Sequence, residues 1–255
     1  VNDCEKQWQA ATIAGVDRLQ LLDDEVHLWW ADCETSPTGL DSLLPDEDRR
    51  RAERLRVDAA RRRFVAARAL TRILLGRYTD IEPSALRIGS GVRGKPRLER
   101  PTGHPTLHFN AAHSGGTAAV ALALSELGVD VESLRPVPNL ARLAARFCSD
   151  FERERLDDLT DRDREAAFLT LWTCKEAYLK AVGSGIAMPL RDIEVDLQPL
   201  RIVRINNDPH AAADWTLLHA SLPEPAACTV AMRGPSHRLA VREFTWSGAS
   251  SRPAT

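Results

Sequence analysis

The chain has 255 residues, 44% hydrophobic and 27% charged, with 34 Lys and Arg against 36 Asp and Glu for a net charge of -2. That mixture fits a globular protein able to bury a core without metal or disulfide staples. It excludes bulk disorder and collagen-like or coiled-coil chains, and a general nucleic-acid binder would be far more basic. No apolar run approaches the roughly 18 residues of a membrane-spanning helix. Residues 1–14 carry Asp3, Glu5 and Lys6 where a secretory signal would have its apolar core. The five cysteines, odd in number and without a CxxC pair, read as reduced thiols, and a cytoplasmic protein is expected.

Residues 1–25 read as an N-terminal extension. Residues 26–31, Val-His-Leu-Trp-Trp-Ala, predict a strand. Pro45 followed by Asp46, Glu47 and Asp48 makes a good first helical turn, because acids favour the positive end of the helix dipole. Leu55, Phe64, Ala67, Leu70, Ile73 and Leu74 continue at helical spacing, predicting two helices broken near 57–60 and stopped at Gly76. Short strands are predicted at 86–88, 107–110, 117–124 and 127–132, with a Gly-rich turn at 89–96. Helices follow at about 139–147, 150–159 and 161–182, closed by Gly183-Ser184-Gly185. Strands are predicted again at 193–197, 200–205, 215–220, 228–232 and 240–244, and the tail from 247 is small and polar.

Five stretches carry chemistry. In 128–132, Gly-Val-Asp-Val-Glu, the strand period puts Asp130 and Glu132 on one face and Val129 and Val131 on the other. Two adjacent carboxylates want a cation between them or a proton on one, unless they are solvated acids on an exposed edge. Along 171–185, Trp172, Glu176 and Lys180 recur at i, i+4 and i+8, which is either a site or a surface ion pair beside a core indole. Asn110, His113, Ser114, Gly115 and Gly116 form a polar turn where backbone N–H groups could approach a phosphate, or hold a satisfied turn histidine. Arg93-Gly94-Lys95-Pro96 is a basic turn. Ten arginines between 49 and 72 make a mostly solvated face from which some could grip a phosphate.

Taken in order, these stretches resemble the Sfp-type 4′-phosphopantetheinyl transferases. The family's basic N-terminal helix region, G-K-P turn, F-N-x-S-H-S segment, G-[IV]-D-[IV]-E strand and W-x-x-K-E-[AS]-x-x-K-x-x-G-x-G helix find counterparts at 49–72, 94–96, 109–114, 128–132 and 172–185, with Ala112 where the family has serine. The resemblance implies an α+β fold of two similarly built halves related by a pseudo-twofold, 26–126 and 127–246, with the site between them and a frayed tail at 247–255. It implies transfer of the phosphopantetheine arm of coenzyme A to a serine of an apo acyl or peptidyl carrier protein, with Mg²⁺ as cofactor and 3′,5′-ADP as leaving product. Neither a nucleic-acid nor a membrane partner is implied, and a monomer is expected. Asp130, Glu132 and Glu176 are implied as metal ligands, and Glu176 and Lys180 as catalytic. Coenzyme A is assigned Arg49, Arg51, Arg63, Lys95, Pro96, Asn110, His113, Ser114, Asp130, Lys175 and Lys180. Carrier docking is expected on helices at about 139–170 and around Ile186, Met188 and Pro189. Two other readings remain: a non-catalytic relative that binds coenzyme A or a carrier domain, and a polyanion binder led by the arginines.

Overall fold

The computed structural model describes residues 19–91, 94–99, 106–183, 188–222, 225–234 and 238–246. The expectations for 1–18, Arg93, 184–185, Ile186 and the tail from 247 lie outside these residues.

Strand β1 (Glu25–Asp32) is followed by helices α1 (Asp46–Glu53) and α2 (Asp58–Thr79), a hairpin of β2 (Ile88–Ser90) and β3 (Pro96–Leu98), and strands β4 (His108–Ser114), β5 (Thr117–Ala123) and β6 (Leu127–Ser133). Helices α3 (Leu140–Phe147), α4 (Asp150–Asp157) and α5 (Asp161–Val182) come next. The chain then forms β7 (Ile193–Leu197), β8 (Leu200–Ile205), the short α6 (Pro209–Ala213), β9 (Trp215–Ser221), β10 (Ala226–Arg233) and β11 (Arg238–Glu243).

The strands form a four-stranded sheet ordered β11-β1-β5-β4, a three-stranded sheet ordered β6-β10-β9, and two hairpins. Alternation along each strand sorts its side chains between two layers. On β1 and β5, Trp29, Val120 and Leu122 face α2 and pack with Leu70 and Leu74, whereas Leu28, Ala119 and Ala121 face the second sheet. On β6 and β10, Val129, Val131 and Val230 face the first sheet, and Ala227 and Ala231 face α5. The result is an α+β arrangement of helix, sheet, sheet and helix. Each fully buried aliphatic side chain in these layers contributes roughly 1.5–3 kcal/mol.

Three sequence expectations differ from this architecture. Gly76 does not end α2, which runs to Thr79 and is closed by Asp80 in the left-handed region at φ 54°. Gly76 instead sits where Ile81 O returns, 2.7 Å from where a Cβ would be. The segment expected as a loop around Ala111 to Ser114 is the second half of β4. Finally, 238–246 were assigned to the C-terminal half. β11 pairs in parallel with β1, and Phe244 and Trp246 join the α2 core.

Candidate active site

The close approach of α5 to β6 builds the site. A Cβ on Gly128 would lie 2.1 Å from Ala177 O and 2.4 Å from Ala181 N, so only glycine lets the helix backbone rest on the strand here. The contact carries Lys180 over Asp130, and Lys180 Nζ donates to Asp130 Oδ1 at 2.5 Å. Asp130 lies on the α5 face of β6, beside Thr229 of β10, whose hydroxyl meets Thr173 of α5. Asp130 is buried, and its second oxygen, Oδ2, has no hydrogen-bond partner. Burial pushes the Asp130 carboxyl up to about 6; Lys180 opposes the rise, and Glu132 and Glu176 add to it. The Glu176 carboxyl is also pushed up, by burial first, with Lys180 opposing and Glu132 reinforcing.

A side-chain seam joins β4 to β6. Asn110 Oδ1 accepts from Val129 N at 2.9 Å, and Lys95 Nζ donates to Leu127 O at 2.9 Å and to Ala181 O at 2.6 Å. At the far end Ser114 Oγ donates to Glu132 Oε2 at 2.7 Å and accepts from Ser133 N.

Two clefts meet on this seam, sharing Gly94, Pro96, Asn110 and Lys180. The first, of about 680 Å³, has an apolar wall of Phe147, Trp172, Leu179, Met188, Pro189 and Leu190, joined by Arg146 and Glu176. Trp172, Glu176 and Lys180 share this wall, as their spacing predicted. The second, of about 760 Å³, runs between α1, α2 and β2 and is lined by Arg51, Arg68, Arg72 and Arg87 with Glu47, Asp48 and Glu99. His113 is an exposed residue, yet desolvation of its ring, and then Arg68, Lys180 and Arg51, hold its pKa below the ordinary imidazole range. A ring so placed among cations suits a site that receives an anion.

The remaining predicted residues lie elsewhere. Arg49 pairs with Asp46 on the surface of α1, and Arg63 pairs with Glu34. Neither lines the two clefts. Arg51 does, with its guanidinium 5.3 Å from the Phe64 ring centre. Lys175 is 1% exposed and points into the C-terminal core, where Nζ donates to Glu152 Oε2 at 2.6 Å and Phe147 O at 2.9 Å. Expected as a coenzyme A contact, it lies on the inner face of α5 with Cys174 and lines neither cleft. Glu152 also closes the capping box of α4 with Ser149 and accepts from Val195 N at 2.7 Å. Sequence reasoning missed Gly128 as the contact point and the Arg146–Phe147 wall. It also missed Arg68 and Arg87 as individual cleft residues, because an arginine run gives no signal for which members face inward. The four described cysteines are free and buried.

Residues 126–231 match the model of the 4′-phosphopantetheinyl transferase superfamily, and residues 29–125 match that of the 4′-phosphopantetheinyl transferase N-terminal region. The chain is 37% identical over 220 residues to the 4′-phosphopantetheinyl transferase HetI of Nostoc sp., covering 85% of this chain and 91% of HetI. It is 32% identical over 173 residues to 4′-phosphopantetheinyl transferase psf-1 of Bacillus pumilus, covering 68% and 70%. It is 28% identical over 159 residues to 4′-phosphopantetheinyl transferase Sfp of Bacillus subtilis, covering 61% and 67%. The chain belongs to the 4′-phosphopantetheinyl transferase superfamily. Within it the chain is of the Sfp type, an enzyme that transfers phosphopantetheine.

Proposed function

We propose that this enzyme transfers the 4′-phosphopantetheine arm of coenzyme A to a serine hydroxyl of an apo acyl or peptidyl carrier protein, releasing 3′,5′-ADP with Mg²⁺ as cofactor. The observation that carries the reading is the junction of the two clefts at Lys180, beside a buried carboxylate with an unpartnered oxygen. The arginine-lined cleft suits the nucleotide end and its phosphates. The apolar cleft suits the pantetheine arm and the incoming carrier. The paired layers of helix and sheet support two similarly built halves around that junction.

Asp130, with its orphaned Oδ2, and Glu132 or Glu176 are the residues that would hold the ion. Among the described residues no three His, Cys, Asp or Glu side chains form a ready ligand set. This donor set still fits Mg²⁺, which commonly takes one or two carboxylates and completes its shell with water and substrate phosphates. When bound, Mg²⁺ neutralises charge on the pyrophosphate. Lys180 would place its ammonium at the phosphates between the two clefts and steady the charge that develops on the 5′-phosphate oxygen of the departing 3′,5′-ADP. Glu176, held above its ordinary pKa on the apolar side, is suited to accept the serine proton. Arg51, Arg68 and His113 would hold anionic oxygens on the nucleotide side, with Pro96 and Asn110 shaping the passage. The Met188–Pro189 rim and α3 form the face offered to the carrier.

The reading is tested by incubating several apo carrier proteins with the enzyme, coenzyme A and Mg²⁺ and measuring intact mass. A gain of one phosphopantetheine on a serine is expected. No gain on any carrier overturns it.

A further inference from the structure

The Lys95 ammonium does not face the arginine-lined cleft as a free cation. Among the described residues its hydrogen bonds go to main-chain carbonyls, Leu127 O at the start of β6 and Ala181 O in the last turn of α5. Carbonyls in that turn have no intrahelical partner, and a cation there also meets the negative end of the helix dipole. The two carbonyls flank the closest approach of strand and helix, since a Cβ on Gly128 would stand 2.4 Å from Ala181 N. Ala181 follows Lys180, whose ammonium rests on Asp130. On the neighbouring bond of the seam, Asn110 takes Val129 N–H, so side chains of the first half occupy main-chain groups of β6 on both sides of Gly128.

We infer that Lys95 is a positioning residue: it fastens the last turn of α5 to the start of β6, and thereby holds Lys180 over Asp130, in place of binding the nucleotide. The inference deepens the transferase reading and rests on it for its kinetic consequence. Its structural consequence stands apart. Without the ammonium, Ala181 O loses its cross-link to β6, and the end of α5 keeps its packing on Gly128 and the Lys180–Asp130 contact. A misplacement of about 1 Å in a positioned group can cost on the order of 100-fold in rate. A phosphate ligand would instead show its loss in substrate affinity.

The test compares Lys95→Met, which keeps the aliphatic stem, with Lys95→Arg, which keeps charge and donors. Hydrogen exchange of the ligand-free proteins at 178–183 is read beside kcat and KM for coenzyme A and for 3′-dephospho-coenzyme A. Lys95→Met is expected to exchange at least tenfold faster in that turn and to lose about 10–100-fold in kcat. Both KM values should stay within threefold, and Lys95→Arg should recover most of the loss. A rise of tenfold or more in KM for coenzyme A, with kcat and exchange unchanged, would make Lys95 a nucleotide ligand and overturn the inference. So would wild-type behaviour of Lys95→Met in every readout. If Lys95→Met does not fold, Lys95→Gln decides: a neutral amide donor should keep most of kcat as a clasp and should raise KM if the charge serves a phosphate. Wild-type inactivity on every apo carrier would defeat the transferase reading, and the exchange measurement would still judge Lys95.

Discussion

Replacing Asp130 with Asn should change how stability depends on pH in a way that can be computed from the site. Burial lifts the Asp130 carboxyl from an ordinary 3.8 to about 6. The folded protein therefore holds that proton more tightly than the unfolded chain does. The stabilisation is fully present below about pH 3.8 and is lost as pH rises through about 6. Across the whole range the difference is roughly 3 kcal/mol, at 1.36 kcal/mol per pH unit. Between pH 5 and pH 8 the wild-type protein should lose roughly 1.4 kcal/mol that Asp130→Asn does not lose. For a chain of this length that shifts the Tm difference between the two proteins by about 3–6 °C in favour of the variant. The Asn amide would lie where Oδ2 has no partner, at a cost of about 1–3 kcal/mol. That cost is the same at every pH, so the slope and not the offset is diagnostic. Thermal or urea melts in chelator, without coenzyme A, at several pH values supply the comparison. Parallel curves for the two proteins, or a stability difference that moves in favour of the wild type as pH rises, would refute the assignment of Asp130 as a buried carboxylate held charged for function.

Glu176→Gln keeps shape and an oxygen but removes basicity; kcat should fall about 10²–10⁴-fold, with coenzyme A binding retained by calorimetry. Near-normal turnover at neutral pH would mean another group takes the serine proton. Gly128→Ala should destabilise the protein by about 1–3 kcal/mol in urea melts and lower kcat together with it, because the added methyl meets Ala177 O and Ala181 N. Glu152→Ala leaves the buried Lys175 ammonium with only Phe147 O and should cost about 3–5 kcal/mol. Pairing Lys175→Met with Glu152→Leu should regain only part of that loss, because Val195 N and Ser149 N stay without their acceptor; coenzyme A affinity should be unchanged, and a weakened affinity would return Lys175 to the cofactor.

Much of the site was legible because two short periods suffice to place it. A period of two puts Asp130 and Glu132 opposite Val129 and Val131, and the two valines are fully committed to the layer between the sheets. A period of 3.6 puts Trp172, Glu176 and Lys180 on one wall of the apolar cleft. Lys175 could not be placed from its motif because adjacent polar residues on a helix do not share a face, and its partner Glu152 lies 23 residues away in another helix. The pairing of β11 with β1 was also illegible, since strand order is set by contacts more than 200 residues apart, Glu25 with Arg238 among them. Among the arginines, Arg51 and Arg63 look alike in sequence. Local partners separate them: Phe64 beneath Arg51, and Glu34 holding Arg63 away from the clefts.

The most direct test of the chemistry at the cleft junction is to follow 3′,5′-ADP release and holo-carrier formation together, by mass, for the wild-type protein and Asp130→Ala with saturating coenzyme A and Mg²⁺. The account predicts one ADP released for each phosphopantetheine transferred in the wild type, and loss of both products in Asp130→Ala. Equal transfer by Asp130→Ala, or holo-carrier formation without ADP, would contradict it.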